Sequence, residues 1–202
     1  MKLNFAERLL VNNPARALVQ RYYEAPLLEK LGGRLDGARV LDVGCGRGVG
    51  VEILLQRFGA AQVYGIDLDP QQIRRAQHRF AGQPDQRVNL TVASVEQLPF
   101  PSESFDAVFD FGMLHHVVDW QSALTEIRRV LKPGGLFFFE EVTRDALNRW
   151  IYRTFLDHPS ENRFSEADFL AELIISGFEP FGKAQRVLFD DIFVGIAKRI
   201  QR

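Results

Sequence analysis

The sequence predicts an α/β domain: a seven-stranded, mostly parallel sheet whose last strand is antiparallel, with helices on both faces and an N-terminal helical cap. Three observations predict it. From residue 38 onward, short apolar runs alternate with longer amphipathic segments, the pattern of βαβ units. A glycine-rich turn, Gly44-Cys45-Gly46-Arg47-Gly48-Val49-Gly50, follows the first of those runs. The last two apolar segments, around 178–189 and 191–197, lie so close in the chain that only a hairpin joins them.

Residues 1 to about 34 read as two helices capping one edge of the domain. The second opens with Asn13 as N-cap and Pro14 in its first turn. A buried strand follows at Ala38 to Val43, then the glycine turn and a helix from Val51 to Phe58. The next unit repeats the design. Its strand is Gln62 to Asp67, and its helix starts at Asp69-Pro70 and turns Ile73, Ala76 and Phe80 inward. A third strand spans Arg87 to Val92 and a fourth Phe105 to Phe109, after the loop Leu98-Pro99-Phe100-Pro101. Asp119 caps a helix carrying Leu124, Ile127, Val130 and Leu131, and Lys132-Pro133-Gly134-Gly135 stops it before the fifth strand, Leu136 to Glu140. The stretch from Glu141 to Arg163 has no clean periodicity. Ser165 and Asp168 form a capping-box pattern for a helix that Gly177 closes, and two apolar segments complete the sheet.

A chain of 202 residues, 46% hydrophobic, buries one sizeable core, so a single domain over 1–202 is expected. Its parts are the cap at 1–34, the alternating core at 38–141, a possible lid at 142–163, and the C-terminal helix and hairpin at 164–202. Lys+Arg 25 against Asp+Glu 26 leaves no basic excess, which argues against nucleic acid as a partner. The single cysteine, Cys45, excludes an intrachain disulfide framework. The N-terminus lacks a long apolar segment, and no apolar run approaches the roughly 20 residues of a membrane-spanning helix. These readings give a cytoplasmic protein without integral membrane association, monomeric or homodimeric.

The turn at Gly44 to Gly50 joins a buried strand to a helix, where an open α/β sheet offers a ligand crevice. Such a turn also serves as a plain tight connection. Asp42 weighs against that, because a carboxylate in an apolar strand end is costly to bury and calls for a cationic or donor partner. Asp67 ends the next strand, placed to accept both hydroxyls of a ribose; its competing role as a helix N-cap falls better to Asp69. A dinucleotide such as NAD would also use an acidic residue there. Against it, the third glycine of G-x-G-x-x-G would fall on Val49, and Asp42 repels phosphate but suits an ammonium group.

These residues carry a resemblance. Val40 to Gly48 resembles motif I of the class I S-adenosylmethionine-dependent methyltransferases, and Gly65-Ile66-Asp67-Leu68-Asp69 their ribose-binding strand end. Three further blocks match in order: Ser94 to Phe100, Phe105 to Val117, and Arg129 to Gly135. The set covers about 38–141 and looks most like the branch with small-molecule and quinone-biosynthesis methyltransferases. The resemblance implies a Rossmann-like fold, S-adenosyl-L-methionine as cofactor, S-adenosyl-L-homocysteine as product, and methyl transfer to a small organic acceptor at O, C or N. It also implies that Asp42 and the backbone of Gly44, Cys45 and Gly46 hold the methionine moiety, Asp67 the ribose, and Leu68 one face of adenine. Ser94, Val95 and Glu96 form the adenine loop; Ser94 stands where the family usually has aspartate and accepts more weakly.

Methyl transfer draws much of its rate from alignment, so a base is optional. His115 and His116 are the candidates should the acceptor need one, although the pair is also a routine structural part of the family's pattern. Asp110, at the fourth strand's end, is placed to touch cofactor or substrate. Cys45 reads as packing, and no metal is expected. Trp150, Tyr152, Phe155 and His158 read equally as an aromatic lid or as a helix packed on the N-terminal pair. Tyr22 and Tyr23 either reach the cofactor or pack, and Arg74, Arg75 and Arg79 read as a solvated helix face. Two other functions compete: a catalytically silent cofactor-binding or regulatory module, and an NAD-linked oxidoreductase.

Overall fold

The computed structural model describes residues 13–82, 86–143, 162–182, 184–187 and 191–201. The first expected helix, and the stretch holding Trp150, Tyr152, Phe155 and His158, lie outside these residues. The chain enters through α1 (Pro14–Val19), a π-helical turn (Gln20–Glu24) and α2 (Ala25–Gly32). Asn13 caps α1, its side chain accepting from the Ala15 amide at 2.9 Å. The segment packs on a face of the sheet instead of capping an edge. A Cβ on Gly32 would stand 2.4 Å from the Phe138 ring and 2.5 Å from the Ile196 side chain, so only glycine lets α2 come this close.

The alternating pattern then produces β1 (Arg39–Val43), α3 (Val49–Gln56), β2 (Gln62–Asp67), α4 (Pro70–Phe80), β3 (Val88–Val92) and β4 (Phe105–Phe111). A 3-10 turn (Leu114–His116), α5 (Trp120–Val130), β5 (Leu131–Val142) and α6 (Glu166–Ile175) follow, and β6 (Phe178–Pro180), β7 (Gln185–Val187) and β8 (Ile192–Arg199) complete the sheet. The strands order as β3-β2-β1-β4-β5-β8-β6, with β7 paired to β8. β1 to β5 are mutually parallel, and β8 runs antiparallel to β5, β6 and β7.

The eight strands differ from the seven expected because the segment at 178–189 divides. Phe178 pairs with Arg199 at one end of β8 and Val187 with Ile192 at the other. Phe181 still donates to the Ile196 carbonyl at 2.7 Å, and Gly182 then turns the chain at positive φ. β5 is also longer than its apolar run. Leu131 pairs with Phe105, and the register shifts before Ala107 meets Leu136, so Lys132 to Gly135 form an irregularity inside the strand. At its other end β5 extends through Glu141 and Val142, which the sequence left in an irregular stretch.

The central strands are apolar on both faces and divide the core in two. On one face Phe109 stacks on Phe138 with ring centroids 4.2 Å apart and Phe58 meets both edge-on. On the other, Trp120, Phe139, Phe164, Phe169 and Phe193 form a second aromatic cluster with α5 and α6. Each fully buried ring contributes roughly 1.5–3 kcal/mol over an exposed one.

Candidate functional site

Chain direction through the sheet reverses between β1 and β4: β1 leads to β2 on one side, and β4 leads to β5 on the other. A crevice therefore opens at the carboxyl ends of these two strands. The glycine turn forms one wall of it. Gly44, Gly46 and Gly48 all adopt positive φ, which L side chains rarely tolerate. A Cβ on Gly46 would meet nothing within 4 Å, so bare backbone faces open space. Val49, where a dinucleotide turn would need its third glycine, carries a buried side chain.

Asp67 ties the turn to β2. Its Oδ2 accepts the Gly46 amide at 3.0 Å and its Oδ1 the Asp69 amide at 2.8 Å. Burial raises its pKa, and those two amides pull the other way. Asp69 is the true N-cap of α4, accepting from Gln71 at 2.9 Å. Beside Asp67, Leu68 is 44% exposed, a large apolar surface next to a carboxylate. The Ser94 hydroxyl accepts the Glu96 amide at 3.2 Å and lies 3.1 Å from Glu96 Oε2, so a carboxylate does stand at this loop, two residues on from the expected place. Val95 is buried among the core residues.

Asp42 and Asp110 are buried on neighbouring strands. Asp42 accepts from the Val51 amide in the first turn of α3, and Asp110 Oδ1 accepts the Met113 amide at 2.7 Å. Each keeps an Oδ2 that is buried without a hydrogen-bond partner. Burial and then the neighbouring Asp110 and Asp67 push Asp42 well above the usual carboxylate range; burial and then Glu141 do the same to Asp110. Two such carboxylates call for a ligand that brings positive charge or donors. Cys45 is buried against Gly65, and burial raises its thiol pKa.

Glu24, Arg16, Glu140 and Glu141 went unread in the sequence. Arg16 bridges Glu24 and Glu140, tying α1 to the end of β5, with Glu140 Oε1 at 3.1 Å. Glu141 Oε1 accepts the amides of Leu114 at 2.6 Å and His115 at 3.3 Å; its Oε2 lies 2.6 Å from His115 Nδ1 and accepts the Val142 amide at 3.1 Å. Their one signal was a pair of glutamates closing a strand of phenylalanines. His116 stacks beside His115 with ring centroids 4.2 Å apart. Tyr22 and Tyr23 are exposed, which removes the packing reading for both. Arg74, Arg75 and Arg79 lie on the exposed face of α4, as expected, with Arg79 donating to the Arg47 carbonyl at 3.0 Å. Among the described residues, no cluster of three or more potential ligands could hold a metal ion, and no helix is long and apolar enough to cross a membrane.

Residues 41–139 match the family model described as methyltransferase domain. The chain is 37% identical over 109 residues to a fatty-acid O-methyltransferase of Mycolicibacterium smegmatis, covering 53% of this chain and 38% of that protein. It is 42% identical over 115 residues to a ubiquinone biosynthesis O-methyltransferase of Paracidovorax citrulli, covering 55% of this chain and 47% of the relative. The chain thus spans less than half the length of these curated relatives. A crystal structure of a SAM-dependent methyltransferase from Aquifex aeolicus shares the fold with a TM-score of 0.78 at 21% identity, covering 98% of this chain and 100% of that one.

Proposed function

From a chain whose residues 41–139 match the methyltransferase domain family, we propose that it transfers a methyl group from S-adenosylmethionine to a small organic acceptor at oxygen, carbon or nitrogen. The observation that carries this reading is the group formed by Asp67, Leu68 and the open backbone at Gly46. Asp67 has lone pairs left for two ribose hydroxyls, and Leu68 offers adenine an apolar face. The orphaned oxygens of Asp42 and Asp110 suit the ammonium of an amino acid, and the turn of Gly44, Cys45 and Gly46 would hold the rest of the methionine moiety. Val95 would supply a backbone contact to the adenine ring. Glu96, braced by Ser94, would accept from the adenine amino group in place of the missing aspartate.

When bound, the sulfonium supplies an electrophilic methyl group, displaced in line while the electrons of the broken bond stay on sulfur. The protein's part is alignment and any proton transfer, for which His115 is the candidate base. Calorimetry with S-adenosylmethionine, S-adenosylhomocysteine and NAD tests the cofactor. Micromolar binding of either sulfur nucleoside is expected; binding of NAD alone sinks the reading. Incubating the protein and a cell extract with methyl-labelled cofactor then separates transfer from silent binding.

A further inference from the structure

The N-terminal segment carries apolar side chains that the core does not use. Not one side chain of α1 is buried. Pro14, Ala15, Leu18, Tyr22 and Tyr23 all face solvent, Leu18 at 57% and Tyr22 at 72% exposure, and none of the exposed residues at 13–23 is charged. Single exposed apolar residues are ordinary, but a run of them along one segment marks a surface that meets something else. Beside it lies a cationic face. α4 carries Arg74, Arg75 and Arg79, all exposed, and no acidic residue, in a chain whose net charge is -1. Arg75 and Arg79 stand four residues apart on the helix, where like charges repel. Arg79 draws in a further cation by donating to the Arg47 carbonyl at 3.0 Å. Burial, and then Arg79 and Arg75, lower the pKa of Arg47, as cations held close together do. Among the described residues, Arg74 and Arg75 have no hydrogen bond or ion pair. The two faces adjoin, because Arg21, next to Tyr22 in the chain, and Arg79 both reach Glu52 Oε2, at 2.9 and 2.8 Å.

We infer that these faces together dock the protein on an anionic lipid bilayer, with Leu18, Tyr22 and Tyr23 entering the headgroup layer and the arginines meeting lipid phosphates. Charge complementarity gives the sign of the partner, and the apolar zone beside the cationic one gives its kind. A nucleic acid or an acidic polypeptide would satisfy the arginines and leave the apolar face in water. A bilayer covers both, and the apolar ring and polar hydroxyl of a tyrosine suit its boundary. The same face borders the crevice. Arg47 of the glycine turn donates to the Asn13 carbonyl at 3.3 Å, and Arg16 ties α1 to Glu140 at the end of β5. Docking would therefore bring lipid to the rim of the site.

Sedimentation with extruded vesicles tests this on the whole chain. Partitioning onto phosphatidylcholine containing about 30% phosphatidylglycerol should exceed that onto phosphatidylcholine alone by about tenfold or more at about 0.1 M salt, and should fall about tenfold at about 0.5 M. Arg74→Gln combined with Arg75→Gln should weaken it about 30-fold, each arginine contributing about fivefold. Leu18→Ser combined with Tyr22→Ser should weaken it about tenfold. All four side chains are exposed, so both double variants should keep the wild-type Tm. Absence of binding to the anionic vesicles, equal binding to both kinds, or wild-type binding by either double variant overturns the proposal. Binding of polyglutamate or single-stranded RNA by a protein that leaves the vesicles untouched overturns it as well.

Discussion

Both oxygens of Asp67 hold backbone amides, so this residue orders the turn that its ligand must meet. Asp67→Ala removes a charged acceptor and loosens Gly46 together. Charged hydrogen bonds contribute about 1.5–3 kcal/mol, so S-adenosylhomocysteine affinity should fall about 10–150-fold by calorimetry, and an unchanged affinity would refute the ribose assignment. At this scale the sequence displayed the acids that interrupt apolar strands. Asp42, Asp67 and Asp110 are visible because an aspartate beside valine and phenylalanine has to be explained by a partner. Glu141 escaped for the opposite reason. Its partner, His115, is 26 residues away in the chain, and nothing local shows that β5 delivers one to the other.

Elements whose limits are set by neighbouring residues follow the sequence closely. Ser165 accepts the Asp168 amide at 3.2 Å while Asp168 accepts the Ser165 amide at 2.9 Å, the reciprocal box that its spacing announces. Ser165→Ala should therefore cost about 1 kcal/mol of stability, measured by urea denaturation with an unchanged m-value. Asp119 and Asp69 were legible by the same rule. Elements defined by long-range pairing were not. Leu131 becomes strand only because Phe105 lies beside it, and the division of β6 from β7 depends on which parts of β8 they reach. Turn chemistry can stop a helix, but it cannot say where a distant strand will accept the chain.

Across the whole molecule, buried carboxylates set how stability answers to pH. Asp42, Asp110 and Glu140 all lie well above the usual range, foremost through burial, and Glu141 lies at about 7. A carboxyl raised in the folded state stabilises it below the unfolded value and loses that contribution as pH rises through the folded value. For Glu141 the loss is on the order of 3 kcal/mol, complete a little above neutrality. The Tm of the ligand-free protein should thus fall between pH 5 and 8. Asp110→Asn should lessen the slope, its Tm gaining on wild type with each unit of pH; parallel curves would show that Asp110 does not titrate.

β8 follows every other described strand in the chain yet lies inside the sheet, between β5 and β6. During synthesis, β1 to β5 emerge first and leave the edge of β5 bare, a row of phenylalanines whose backbone groups have no partner until β8 arrives. The half-made domain is thus at its most adhesive until β8 covers that edge. A version ending before Asp191 should pellet or bind a hydrophobic dye in place of showing a cooperative melt; cooperative unfolding of that fragment would show that β5 needs no such cover. Nascent chains of this protein would need protection from one another from the emergence of β5 until β8 has joined it.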